Sequence, residues 1–215
     1  MLCPYIAWYN LFQNLGTSPV LHLFGLTMIA QPQPHLTPAE YLQLEEHSAL
    51  KHEYIDGQIY AMSGATDAHV TVALNLASAL RSHVRGSGCR VYIADMKARI
   101  DSLNRYYYPD ILVTCDPRDR DTPLEKRFPR LIVEVLSDTT EAFDRGDKFT
   151  DYQELTSLQE YVLINTKRKR VECFRRNPDR FWVLQSYTEQ QETFHLESID
   201  FTEAIESLYE DVIFA

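Results

Sequence analysis

The sequence predicts a mixed α/β (α+β) fold in which a central mixed β-sheet is flanked by helices and followed by a C-terminal β-meander. The predicted order of elements, α–β–β–α–β–β–β–α–β–β, lacks the strict alternation of a parallel βαβ array. Hydrophobic residues make up 45% of the 215 residues, which is enough for a full core. There is no glycine-rich phosphate-binding loop, because Gly86-Ser-Gly88 reads as a helix stop.

The first helix has a clear start: Thr37 suits the N-cap, Pro38 the first helical position and Glu40 the third residue after the cap. Asp56-Gly57 is a strong hairpin-turn dipeptide. In chain order, the predicted elements are a helix over 36–50, a hairpin over 53–60, a helix over 66–85, strands over 89–93, 97–101 and 106–115, a surface loop over 116–129, a strand over 130–136, a helix over 139–155, meander strands over 160–165, 170–175 and 181–185, and a closing helix or turn over 201–208.

Residues 1–35 are predicted to be a poorly ordered N-terminal extension, and residues 36–215 to form one domain. Met28 precedes a Pro-rich segment and is a candidate natural start. The apolar stretch 20–30 is too short to span a bilayer, although it could lie on a membrane surface. Four cysteines, at positions 3, 89, 115 and 173, form no CxxC motif, so we expect reduced thiols in a cytoplasmic protein without a zinc site.

The overall charge is acidic, with 21 Lys and Arg against 31 Asp and Glu and a formal net charge of −10. This weighs against a protein that coats nucleic acid non-specifically, because such binding depends on neutralising phosphates. One basic block stands out, formed by Lys167, Arg168, Lys169 and Arg170. It is either a solvated hairpin tip or a contact to a nucleic-acid backbone. The loop cations Arg118, Arg120, Lys126, Arg127 and Arg130 could also border a substrate path.

Two carboxylates interrupt apolar strand patterns: Asp110 within residues 106–113 and Glu134 within residues 131–136. An unpaired buried carboxylate is costly, so each must find a partner or bind a metal. If the two strands are neighbours, both carboxylates can point into one cleft and suit Mg²⁺, with Mn²⁺ as an alternative. The competing interpretation is that Asp110 and Glu134 form ordinary ion pairs with Arg and Lys.

These landmarks resemble the PD-(D/E)xK nuclease superfamily and, more closely, the Uma-two family of restriction-endonuclease-like proteins, over about four-fifths of the chain. The matching residues are Tyr54-x-Asp56-Gly57, His69, Pro109-Asp110-x-x-Val113, Pro129, Glu134-Val-Leu-Ser137, Asp144-x-x-x-Lys148-x-x-x-Tyr152 and Glu160-Tyr161. The resemblance implies a restriction-endonuclease-like core and a Mg²⁺-dependent endonuclease that hydrolyses DNA phosphodiester bonds. A homodimer would suit the cutting of both strands of a duplex.

The chain departs from the superfamily signature at Leu136, where the (D/E)xK lysine would stand. Lys148 is the expected substitute, because Asp144, Lys148 and Tyr152 share one helical face; Lys97 is the fallback. The resemblance also assigns Glu53, at the end of the first helix, a further metal contact, while a structural role is favoured for His69. The alternative function is a catalytically inactive nuclease fold that binds nucleic acid or protein.

Overall fold

The computed structural model describes residues 35–214, so the predicted extension over residues 1–35 falls almost entirely outside the described residues. The helices are α1 (Pro38–His47), α2 (Asp67–His83), α3 (Glu141–Arg145), α4 (Asp147–Tyr152) and α5 (Ile205–Leu208). The strands are β1 (His52–Ile55), β2 (Gln58–Ala61), β3 (Arg90–Ile93), β4 (Lys97–Ile100), β5 (Arg105–Tyr107), β6 (Ile111–Thr114), β7 (Glu125–Lys126), β8 (Pro129–Leu136), β9 (Glu160–Asn165), β10 (Arg170–Arg176), β11 (Trp182–Thr188), β12 (Thr193–Leu196) and β13 (Phe201–Ala204). None of these helices is long and apolar enough to cross a membrane.

The predicted mixed sheet is confirmed as a six-stranded sheet with the order β11-β10-β9-β8-β6-β3. The pair β8–β9 is parallel, and the other neighbours in this sheet are antiparallel. The strands β9, β10 and β11 form the predicted meander. A second sheet has the order β2-β1-β5-β4-β7, and β12 pairs with β13 alone.

Local signals at the first two helices are confirmed. The Thr37 side chain accepts a hydrogen bond from the Glu40 backbone while the Glu40 side chain accepts one from the Thr37 backbone, which is a capping box. Thr66 caps α2 through the backbone amide of His69. The hairpin of β1 and β2 turns at Asp56 and Gly57, both with positive φ.

The prediction of a single strand over residues 106–115 is wrong, because the structure has two strands there, in different sheets. β5 pairs with β1 and β4, whereas β6 pairs with β3 and β8. Between them lie Tyr108, Pro109 and Asp110. Proline has no N–H to donate to a ladder, which suits a crossing point between sheets.

The helix predicted over residues 139–155 is also divided. α3 ends and α4 begins at Gly146, whose φ of −111° and ψ of −103° are not helical. A β-carbon at Gly146 would lie 3.1 Å from the Ala142 carbonyl oxygen, so the tight break favours glycine. The predicted loop 116–129 contains a 3₁₀ turn and β7, and the predicted closing element 201–208 is β13 followed by α5.

The expectation that all thiols are reduced is wrong for two of the four cysteines, because Cys89 and Cys115 form a disulfide. Their pairing follows from the β3–β6 register, in which Arg90 lies opposite Thr114 and the next pair outward is Cys89 and Cys115. Cys173 is a buried free thiol, and burial raises its pKa.

The two faces of the six-stranded sheet pack against different helices. On one face, α2 buries Val72, Leu76 and Leu80 against Val133 and Val135 of β8, among others. On the opposite face, Ile132 and Leu136 of β8 pack in a cluster with Tyr152 of α4. Because side chains alternate along a strand, Glu134 lies on this second face, between Ile132 and Leu136.

Candidate active site

Asp110 and Glu134 lie next to each other across the β6–β8 pair. Ile111 is opposite Val133 in the antiparallel register, which puts Asp110 opposite Glu134. The Asp110 backbone N–H donates to Glu134 Oε2 over 3.4 Å. The carboxylates differ in exposure, with 23% of the Asp110 side chain exposed and only 4% of the Glu134 side chain. Asp110 therefore marks the solvent side of the site.

The Asp110 carboxylate accepts a hydrogen bond at each oxygen. Its Oδ2 accepts from the Val135 backbone N–H over 2.7 Å, and its Oδ1 lies 3.0 Å from His69 Nε2. The sequence favoured a structural role for His69. In the structure, His69 is in direct contact with Asp110, a candidate site residue.

Lys148 completes the centre of the site. Its ammonium nitrogen lies 3.0 Å from Glu134 Oε1, 3.1 Å from Glu53 Oε1 and 3.5 Å from Asp144 Oδ1. The Tyr152 hydroxyl donates to the same Glu134 Oε1 over 3.1 Å. Although the helix breaks at Gly146, the expected common face of Asp144, Lys148 and Tyr152 is thus preserved.

Glu53 reaches Lys148 from an element other than the expected one. It lies on β1, not at the end of the first helix, since α1 ends at His47. Tyr54 of the same strand packs against Tyr41 and Tyr106. Glu53 alternates with it and points to the other side, where Ile55 also packs, so the β1–β5 layer contributes to the site.

The fallback lysine is elsewhere. Lys97 is buried, and its ammonium lies 5.1 Å from the centre of the Tyr108 ring. Burial is the largest influence on Lys97, and its pKa is lowered. Among residues 35–214, Lys97 makes no hydrogen bond or ion pair with Glu134 or Asp110, whereas Lys148 contacts Glu134 directly.

The protonation of the central pair is set by burial and by the local excess of acids. Burial raises the pKa of Glu134 well above its ordinary value, and Lys148 only partly opposes this effect. Burial alone would lower the pKa of Lys148, but Glu134, Glu53 and Asp144 outweigh burial and raise it well above its ordinary value. The pKa of Asp144 is raised in the same way, chiefly by burial. Lys148 is therefore a cation at neutral pH.

The donors suit a cation held by two carboxylates and water better than one held by a ring of protein ligands. Within residues 35–214 there is no group of three or more His, Cys, Asp or Glu side chains arranged to hold a metal ion. Asp110 and Glu134 nevertheless present adjacent carboxylates, and Mg²⁺ typically takes one or two carboxylates and keeps several waters. Three acids contact Lys148 and a fourth, Asp110, contacts His69, so the ionised carboxylates leave negative charge for a divalent cation to balance.

The basic block Lys167–Arg170 follows β9, at the end of the sheet where β8 also ends. Three of its cations have acidic partners: Lys167 pairs with Asp138, Lys169 with Glu206 at 2.5 Å, and Arg170 with Glu172 at 3.4 Å. Arg168 is exposed and has no acidic partner within the part of the chain that the structure describes.

The cations of the loop before β8 are largely held within the loop. Arg118 pairs with Asp116, and Arg127 with Glu125 and Asp101. Lys126 is buried and donates to two loop carbonyls. Arg118 and Arg130 line a cleft of about 460 Å³ at the start of β8, at the opposite end of that strand from Glu134.

The mixed sheet and its flanking helices are the fold of the restriction-endonuclease-like class. The chain belongs to the Uma2 family, described as "Putative restriction endonuclease", which matches residues 38–205.

Two relatives of similar length share much of the sequence. "Uncharacterized protein slr1290" of Synechocystis sp. is 39% identical over 183 residues, covering 85% of this chain and 96% of the relative. "Uncharacterized protein sll1609" of the same organism is 35% identical over 159 residues, covering 73% of this chain and 90% of the relative. The fold resembles the crystal structure of "a putative nuclease belonging to DUF820" from Anabaena variabilis, with a TM-score of 0.68, 18% identity, and coverage of 83% of this chain and 99% of that one.

Proposed function

We propose that this protein is a Mg²⁺-dependent endonuclease that hydrolyses DNA phosphodiester bonds, with Mn²⁺ as an alternative cofactor. The observation that carries the proposal is the convergence of Asp110, Glu134 and Lys148, which come from three separate elements of a nuclease-family fold. Asp110 and Glu134 would hold the cation, and Glu53 would assist from β1. When bound, such an ion polarises a phosphoryl oxygen and lowers the pKa of an attacking water.

Lys148 takes the place of the lysine that the superfamily signature puts two residues after the acid. Its raised pKa keeps it protonated, so it acts as a positive charge and not as a proton acceptor. A fixed ammonium in a buried site stabilises developing negative charge and orients a nearby water or phosphoryl oxygen. Glu53 and Asp144 hold the ammonium beside Glu134.

Glu134 has two distinct oxygens in this arrangement. Oε1 is shared by Lys148 and the Tyr152 hydroxyl, whereas Oε2 faces the Asp110 backbone amide. Oε2 is therefore the oxygen more available to a cation, on the side where Asp110 opens to solvent. A phosphate would reach the site from that side.

The proposal also covers the substrate, the oligomeric state and the location of the protein. DNA would be bound through local cations, with Arg168 as the first contact of the block Lys167, Arg168, Lys169 and Arg170, because its charge is not offset by an acid within the described residues. A homodimer would bring two sites to the two strands of a duplex. The proposed location is the cytoplasm, although the Cys89–Cys115 disulfide means that reduced thiols no longer support it.

A second candidate function is a nuclease fold that binds nucleic acid or protein without cleaving it. Two observations favour it: Leu136 stands where the superfamily has lysine, and the ammonium of Lys148 is already engaged by three acids. The net charge of −10 disfavours tight binding to a phosphate backbone, which favours a protein partner for such a non-catalytic fold.

The test is cleavage of supercoiled plasmid and of single-stranded DNA, with Mg²⁺ or Mn²⁺ and with a chelator. The proposal expects cleavage that requires the metal and disappears in Asp110→Ala and Glu134→Ala, both of which remain folded. Asp116→Asn, at an exposed ion pair, is the matched control and should cleave normally. Full activity in both site variants contradicts the proposed role of the two acids. Metal binding without any cleavage favours the second function.

A further inference from the structure

His69 is fixed beside Asp110 by the start of α2. It is the third residue of that helix, and its backbone N–H donates to the capping hydroxyl of Thr66 over 3.3 Å. Only 14% of its side chain is exposed. From this position Nε2 points at Asp110 Oδ1 over 3.0 Å. We assign Nε2 as the donor in this contact, because a carboxylate oxygen accepts hydrogen bonds.

This bond and the one from Val135 hold the Asp110 carboxylate at both ends. Val135 N–H donates to Oδ2 over 2.7 Å, from the strand that carries Glu134. Each carboxylate oxygen has two lone pairs, so both oxygens keep acceptor capacity for a cation after these bonds form. Two donors from two elements therefore set the plane of the carboxylate without blocking it.

The orientation of the His69 ring favours the contact of Nε2 with Asp110 over a partner for the other ring nitrogen, Nδ1. Nδ1 is buried and has no hydrogen-bond partner within residues 35–214. A buried polar atom that is left unsatisfied destabilises the folded state. Buried polar atoms of a histidine placed only for packing are usually hydrogen-bonded. Here the ring keeps its contact with Asp110 while Nδ1 remains unsatisfied, which is typical of residues constrained by a functional site.

We propose that His69 is a positioning residue, which orients Asp110 for the cation and does not itself touch the substrate. This inference rests on the proposed function, because it requires a cation at Asp110. Outer residues that hydrogen-bond to metal ligands typically change metal affinity by about 10- to 100-fold when they are removed. We therefore assign His69 the role of an outer residue that orients Asp110, the more exposed of the two carboxylates proposed to hold the cation.

The experiment is calorimetric titration of the full-length chain with Mn²⁺, using four variants. His69→Leu removes the donor, and His69→Asn keeps a polar side chain that is too short to reach Oδ1. His69→Gln can place an amide N–H near the position of Nε2. His83→Leu is the matched control, because His83 lies on the same helix and donates to the Ile199 carbonyl, away from the site. Thermal unfolding of each variant reports on folding.

We expect His69→Leu and His69→Asn to weaken Mn²⁺ binding by about 10- to 100-fold. His69→Gln should recover most of this affinity, and His83→Leu should bind as the unchanged protein does. The recovery by glutamine separates positioning from a general structural effect. If His69→Leu does not fold, the Asn and Gln pair carries the comparison.

The outcomes are distinguishable. Binding by the unchanged protein together with equal binding by His69→Asn overturns this inference and leaves the proposed function standing. Equal weakening in His69→Asn and His69→Gln, with a lowered melting temperature in both, also overturns it. Absence of Mn²⁺ binding by the unchanged protein overturns the proposed function and this inference with it.

Discussion

Lys148 Nζ lies 3.0 Å from Glu134 Oε1, and both side chains are almost fully buried. A buried ion pair adds little net stability over an apolar pair, but removing one partner leaves an uncompensated charge. This pair is also surrounded by Glu53 and Asp144, so the single ammonium offsets several acids. The integrity of the site therefore depends on Lys148 more than on any single acid.

Replacing Lys148 with methionine should destabilise the protein by about 3–5 kcal/mol at neutral pH and abolish cleavage. The loss should shrink in acid, because Glu134 and Asp144, whose pKa values are raised, then become neutral. Urea unfolding at two pH values measures the effect. Lys169→Met, at an exposed pair with Glu206, is the control and should cost less than about 1 kcal/mol. Equal stability of the two variants would show that Lys148 does not hold the acids together.

Cation affinity should rise with pH. Glu134 must be ionised to bind a metal, and its raised pKa means that it holds its proton above the value of about 4.3 at which a glutamate ordinarily ionises. Affinity is therefore lost as the pH falls through this raised pKa. Mn²⁺ titrations in buffers of different ionisation enthalpy should reveal proton release on binding, and Glu134→Gln should release none.

The raised pKa of Glu134 gives the opposite pH trend for the stability of the metal-free protein. A carboxyl whose pKa is raised by folding favours the folded state at low pH, and that contribution is lost as the pH rises through the raised pKa. Added Mn²⁺ should therefore increase the melting temperature more at neutral pH than in mild acid. A pH-independent gain would argue against Glu134 as a ligand.

Reduction of the Cys89–Cys115 disulfide should lower stability by up to about 3.5 kcal/mol, the scale expected for a closed loop of this length. The bond joins the residues that flank the edge strand β3 and its neighbour β6, at the end of β6 opposite to Asp110. Melting temperatures with and without a thiol reductant measure the effect. The double variant Cys89→Ser, Cys115→Ser should melt at the reduced value, and reductant should not change it further. An unchanged melting temperature on reduction of the parent chain contradicts this expectation.

Arg168→Ala should weaken DNA binding more than Lys169→Ala does. The Lys169 charge is offset by Glu206, whereas Arg168 has no acid beside it among the described residues. Removing one phosphate contact should reduce the dependence of log K on log salt concentration by about one. Binding to a labelled duplex in Ca²⁺ or chelator, measured over a range of salt concentrations, tests this. If the unchanged protein, Arg168→Ala and Lys169→Ala all give the same slope of log K against log salt concentration, the basic block does not contact DNA.

The sequence identified most of the candidate site because each clue was local. Asp110 and Glu134 are carboxylates within apolar strands, an anomaly visible without knowledge of the fold. Lys148 followed from its spacing to Asp144 and Tyr152 within one helical pattern. The contact that the structure adds between Glu53 and Lys148 joins β1 to α4, so no local pattern could predict it.

The incorrect predictions concern features that are determined by contacts between distant parts of the chain. Residues 106–115 read as one apolar strand, yet their two halves pair with different partners, and only tertiary pairing determines that division. Cys89 and Cys115 are 26 residues apart in sequence, and only the β3–β6 register brings them together. His69 gave a weak signal because a histidine in the first turn of a helix is common, and its contact with Asp110 depends on the packing of α2 against the sheet.

Anomalous diffraction from crystals soaked in millimolar Mn²⁺ tests the central claim most directly. The account predicts one peak at about 2 Å from carboxylate oxygens of both Asp110 and Glu134, the usual length of a metal–oxygen bond. Lys148 should remain beside Glu134. A soak that gives no peak between Asp110 and Glu134, while Mn²⁺ binds elsewhere on the same molecule, would contradict the proposed metal site.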